Sequence, residues 1–211
     1  MVDEDLHKHG LWLYGIILSL AIKEALTHVA PHVFNPPAGD ARGLIAEFGR
    51  LLLFLFLSVR FYLRAVRFFQ RAYNNPDSDE RYKTKSFPID FLFGFCLFLF
   101  FFGCALSIDV SVIPHFWFPL LVALILFWDL PWCFALRHSD TRHLIKMWAF
   151  VNMLTLVVGL LIYFIVRPAT DPRIAEWVAY IPIVIASGID LAELTGNREL
   201  FSEGLRKLLP E

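Results

Sequence analysis

Apolar residues in this chain come in long unbroken blocks instead of alternating with polar ones. Residues 91–108, 110–128 and 147–166 run for 18, 19 and 20 positions without an Asp, Glu, Lys or Arg. A helix rises 1.5 Å per residue, so each block is long enough to cross roughly 30 Å of hydrocarbon. The first two are separated only by a short stretch around Asp109. Their connection is therefore tight and the two helices antiparallel neighbours, with Pro114 suited to the first turn of the second. Three further blocks are interrupted by charge. Residues 11–30 carry Lys23 and Glu24, residues 44–62 carry Glu47, Arg50 and Arg60, and residues 174–194 are free of charge for only 13 positions from Trp177.

Lysine and arginine in the connections decide how the interrupted blocks are read, because these residues are held on the cytoplasmic side during insertion. With six spans, one side receives Lys8, Arg64, Arg67, Arg71, Arg81, Lys83, Lys85, Arg137, Arg142, Lys146, Arg198, Arg206 and Lys207. The other side receives only Arg42, Arg167 and Arg173. Omitting one span scrambles this sorting. The sequence thus predicts an all-α, polytopic integral membrane protein: one bundle of six transmembrane helices over residues 11–30, 44–63, 88–108, 113–136, 147–167 and 174–194, with amino and carboxyl termini in the cytoplasm. Composition agrees, since 57% of the residues are hydrophobic and 18% charged, against about a quarter charged in soluble domains. The opening Met1-Val-Asp-Glu-Asp lacks the positive start of a secretory leader. The expected location is the cell (cytoplasmic or inner) membrane.

Beyond the second span, Arg60, Arg64, Arg67 and Arg71 recur at four, three and four, on one face of a helix extending into the cytoplasm until Asn74-Asn75-Pro76. Arg64, Arg67 and Arg71 are expected at anionic lipid headgroups. The rest of residues 64–86, from Asn75 to Ser86, reads as an exposed connector. Residues 197–211 read as a short cytoplasmic amphipathic helix with Leu200, Phe201, Leu205, Leu208 and Leu209 on its apolar stripe.

Charge inside a span is costly and turns toward the bundle interior or toward water. Counting depth along spans of alternating direction places Lys23, Glu24, Glu47 and Arg50 in an outer polar layer, as a four-member ion-pair cluster. An inner layer holds Arg60, Asp129 and Asp190, with Arg60 paired to one of the two aspartates and Asp90 close to the inner surface. Spans one, two and six then supply the polar interior, while three, four and five face lipid. In the first span Gly15 and Ser19 form one small-residue pair and Ala21 and Ala25 another, and the two point in different directions.

Little in the chain suggests reactive chemistry. Cys96, Cys104 and Cys133 lie in apolar stretches without metal-ligand spacing, so neither a disulfide nor a zinc site is expected. His28 and His32 are four apart, with His115 on the same side near Glu24 and Glu47. That set suits a metal or a pH sensor, but Pro31 disturbs the spacing and no metal or cofactor is predicted. No nucleophile and base, paired glutamate or repeated Asp-x-x-x-Asp motif is present, and a net charge of −1 excludes nucleic-acid binding by bulk electrostatics. The Phe-Ser-Asp signature that small bacterial potassium channels carry in their first span is absent. At this length, without an internal repeat, the expected function is an oligomeric channel or pore-like protein, a homo-oligomer surrounded by membrane lipids and conducting ions. The alternative is a membrane-embedded sensor or anchoring subunit that signals to a cytoplasmic protein partner, as in a defence or stress system.

Overall fold

The computed structural model describes residues 6–34, 41–73, 80–109, 116–135 and 139–195. Among these residues there is no strand. The elements are α1 (Leu6–Phe34), α2 (Ala41–Tyr73), α3 (Glu80–Leu106), α4 (Trp117–Phe127), α5 (Asp129–Ala135), α6 (Ser139–Val166), a 3-10 turn (Arg167–Ala169) and α7 (Pro172–Thr195). Proline sets several of the breaks. Pro36-Pro37 follows α1 and Pro76 follows α2, and proline disfavours helical backbone in the residue before it. Between α4 and α5, Pro131 has no N–H to offer the carbonyl of Phe127, so the rod tightens there and Trp128 N–H bonds to Ile125 O at 3.3 Å.

Among the described residues, five stretches are long and apolar enough to cross a membrane: His9–Phe34, Phe87–Leu106, Trp117–Ala135, Ile145–Ala169 and Pro172–Ala192. Their outward faces are largely apolar. Leu20, Leu154, Leu161, Phe164, Ile165 and Ile185 are all exposed, a surface suited to hydrocarbon and not to water. The chain is therefore a helical, multi-pass membrane protein.

The remaining long helix, α2, is built inside out. Ile45, Phe48, Leu52, Phe56 and Val59 face outward, while Glu47, Arg50, Ser58, Arg60 and Arg64 are buried. This helix is also the hub of the bundle, packing against α1 and α3 on one side and α6 and α7 on the other. On the α1–α3 side aromatic rings fill the core. Tyr14 stacks on Phe91 and Phe98, its hydroxyl donates to Phe91 O at 2.7 Å, and its ring leaves no room for a side chain at Gly94. Ala21 and Ala25 are buried, whereas Gly15 lies beside the Tyr62 hydroxyl and Ser19 is exposed.

Two helix starts differ most from the sequence reading. Helix α3 begins at Glu80, so residues 80–86 form its first turns and are not a connector; residues 75–79 of the predicted loop lie outside the described residues. Helix α6 begins at Ser139 rather than 147, so Arg142 and Lys146 ride on a helix. Hydrophobicity marks where a helix becomes apolar; the short polar run Ser139-Asp140-Thr141, of the kind that favours helix N-termini, marks where it starts. Pro114 and the amphipathic helix over residues 197–211 also lie outside the described residues.

Candidate functional site

Helix α2 carries its inward charges at two heights. Arg50 and Arg60 are ten residues apart, which separates the layers by about 15 Å along the helix. Between them Ser58 is fully buried, and its Oγ has no hydrogen-bond partner among the described residues. The interior between the layers is thus not wholly apolar.

In the layer toward the start of α2, Arg50 forms a two-pronged pair with Glu176 of α7, Nε to Oε1 at 2.9 Å and Nη2 to Oε2 at 2.8 Å. Tyr180 donates to the same Oε1 at 2.5 Å, and the ring of Phe118 covers the guanidinium at 5.3 Å. Paired, hydrogen-bonded and stacked, this arginine meets the conditions under which a charge is tolerated away from water. The contact depends on Gly49, because Trp177 lies against the bare backbone there. One turn earlier, Glu47 Oε2 lies 2.6 Å from His32 Nδ1 of α1, and Asp109, just past α3, joins them.

The layer toward the end of α2 draws on four helices. Asp190 of α7 accepts from both Arg60 and Arg64 through one carboxylate oxygen. Arg60 also donates to Asn152 Oδ1 at 2.8 Å, and Asn152 donates through Nδ2 to Asp129 Oδ2 at 2.8 Å. Arg64 Nη1 lies 3.8 Å from Asp129, and its guanidinium sits over Trp148 at 5.1 Å. Two arginines and two aspartates balance, with Asn152 as the bridge between the halves. A third buried carboxylate, Asp90, is held by neutral donors, Tyr73 hydroxyl at 2.6 Å and Trp132 Nε1 at 2.9 Å.

The residues singled out from sequence are placed as follows. Arg60, Asp129 and Asp190 meet in one network. Lys23, Glu24, Glu47 and Arg50 do not form a single cluster: Glu47 is beside His32, Arg50 holds Glu176, Glu24 Oε1 lies 3.2 Å from His28 Nε2, and Lys23 is exposed, without an ion pair among the described residues. Arg64 is only 3% exposed and belongs to the buried network, not to a headgroup surface. Two further arginines of that series, Arg67 and Arg71, are respectively half-buried and exposed. The expected division of labour also shifts, since α3, α5 and α6 supply Asp90, Asp129 and Asn152 to the interior while α1 turns Lys23 outward.

Glu176, Asn152 and Tyr180 were missed from sequence. Asn152 was visible as the one carboxamide in the apolar run 147–166, and such a residue in a span needs a polar partner. His115 lies outside the described residues, while α1 stays helical through Pro31, so His28 and His32 share one face. Comparison with protein families, with curated proteins and with solved structures finds no match.

Proposed function

We propose that the chain crosses the cell membrane six times, with both termini cytoplasmic, and assembles into a homo-oligomer whose α1 helices surround an ion-conducting path. Counting α2 as the sixth span is supported by its inverted amphipathicity, because its charges are answered inside the bundle and its outward stripe is apolar. On this arrangement the Arg50 layer is outer, the Arg60 layer inner, and Arg67 and Arg71 lie at the cytoplasmic headgroups.

The observation that carries the reading is Lys23. The arginines of α2 inside the bundle have acidic partners, but Lys23 sits within an apolar span, faces outward, and has Ser19 and Thr27 four residues before and after it. Both hydroxyls bond to carbonyls of their own helix, Ser19 to Gly15 O at 2.7 Å and Thr27 to Lys23 O at 2.9 Å. The ammonium group is left as the unanswered polar feature of that face among the described residues. A bare ammonium against lipid costs several kcal/mol, on the order of 3. A water-filled axis shared by several copies removes that cost, and a ring of lysines favours anions.

Reconstitution in planar bilayers tests this. Wild-type protein is expected to conduct with a preference for anions, and Lys23→Glu to reverse that preference severalfold. A monomer in nanodiscs, with conductance absent or indifferent to Lys23→Glu, would instead mean that the side chain reaches up to the outer headgroups, and would overturn the proposal.

A further inference from the structure

We propose that His32, Glu47 and Asp109, joined by His28, bind one divalent transition-metal ion where the ends of α1, α2 and α3 meet. The proposal does not depend on conduction. The donors come from three separate parts of the chain: the last turn of α1, the second turn of α2, and the residue stretch just after α3. One ligand atom from each of His32, Glu47 and Asp109 lies within 4.8 Å of the others, and Glu47 and Asp109 are both buried at 7% exposure. Donors sharing a tetrahedral ion at 2.0–2.2 Å stand roughly 3.4 Å apart. His32 Nδ1 and Glu47 Oε2, now at 2.6 Å, must open slightly and the widest pair must close, each by on the order of 1 Å, within reach of side-chain rotation alone.

A fourth donor stands farther out. His28 Nδ1 is 3.9 Å from Asp109 Oδ2 but outside the three-residue cluster, so its ring must swing inward to join. Glu24 Oε1 lies 3.2 Å from the opposite ring nitrogen, which is buried and has no hydrogen-bond partner among the described residues. A small shift of Glu24 would close that bond and fix the ring's orientation, the usual outer support of a ligating histidine. Imidazole nitrogens mixed with carboxylates suit zinc and its neighbours, whereas calcium and magnesium want shells made of oxygen. His32 is the most exposed of the three at 30% of its side chain, so an ion would enter past it.

The test uses untagged protein in nanodiscs, stripped with chelator and titrated with Zn2+. One saturable equivalent and a rise in Tm are expected. His32→Gln and Asp109→Asn should each weaken binding at least about tenfold, while keeping the wild-type helical spectrum and metal-free Tm. Glu47→Gln offers a third variant should either of those fail to fold. Mg2+ at the same concentration should leave Tm unchanged, and X-ray absorption of the zinc-loaded protein should show nitrogen and oxygen neighbours only. No saturable Zn2+ binding, binding indifferent to all three substitutions, or sulfur in the shell from Cys96, Cys104 or Cys133 would each overturn the assignment.

Discussion

Asp190→Ala should destabilise the protein by about 3–5 kcal/mol, the cost of leaving a buried charge without its partner. Asp190 is the acceptor that Arg60 and Arg64 share. Without it, two arginines at 0% and 3% exposure keep one carboxylate between them, Asp129, of which Arg64 is within 3.8 Å. A double-mutant cycle separates this charge imbalance from a simple loss of packing. Adding Arg60→Met to Asp190→Ala restores one arginine to one aspartate, so the double variant should recover about 1–3 kcal/mol of the loss. Unfolding in mixed micelles, followed by helical circular dichroism, reads both. Equal stability of the single and double variants would mean that the network's charge balance does not govern the fold.

The second large effect is expected at Gly49. A methyl group there would fall within the Trp177 indole, so the ring must swing out of its place or α2 and α7 must part. Gly49→Ala should therefore cost about 3 kcal/mol, the upper end for overpacking, because separation also pulls Arg50 from Glu176 one residue along each helix. Trp177→Leu makes room and should relieve most of that cost. Gly188 is the control: nothing lies within 4 Å of a Cβ added there, and Gly188→Ala should be neutral or stabilise by up to about 1 kcal/mol through helix propensity. Thermal unfolding of Gly49→Ala, the Gly49→Ala/Trp177→Leu double variant and Gly188→Ala against wild type gives the ordering. A Gly49→Ala protein as stable as Gly188→Ala would contradict the close packing described for α2 and α7.

Much of the helical architecture is legible in the sequence because span length is set by one physical quantity, the thickness of hydrocarbon. The network around Arg60 is legible for a related reason. Depth is fixed by counting along a helix, so Arg60, Asp129 and Asp190 could be assigned one height without knowing how the helices are arranged. Rotation about each helix axis is another matter. Whether Lys23 faces Glu47 or faces away depends on which side of α1 meets α3, and that is decided by contacts such as Tyr14 with Phe91, 77 residues later. Neutral polar residues such as Asn152 and Tyr180 carry no charge to set their depth, yet an amide or phenol hydrogen-bonds to buried ions directly. Arg64 was misplaced because its spacing from Arg67 and Arg71 suggested a shared surface, while Asp190 and Asp129 draw it inward.

The pairing of Arg60 with Asp190 spans 130 residues of chain, and this has a consequence for biosynthesis. At translation rates of 5–20 residues per second, α7 emerges roughly 7 to 26 seconds after α2. Throughout that interval the central helix holds two arginines whose main acceptor does not yet exist. It is not a finished unit on its own, and if it spans the membrane it must linger at the insertion machinery or sit shallowly until α7 arrives. Helix α7 is thus the one that seals these two arginines, and a chain cut short before α7 should be recognised by the cell as unassembled.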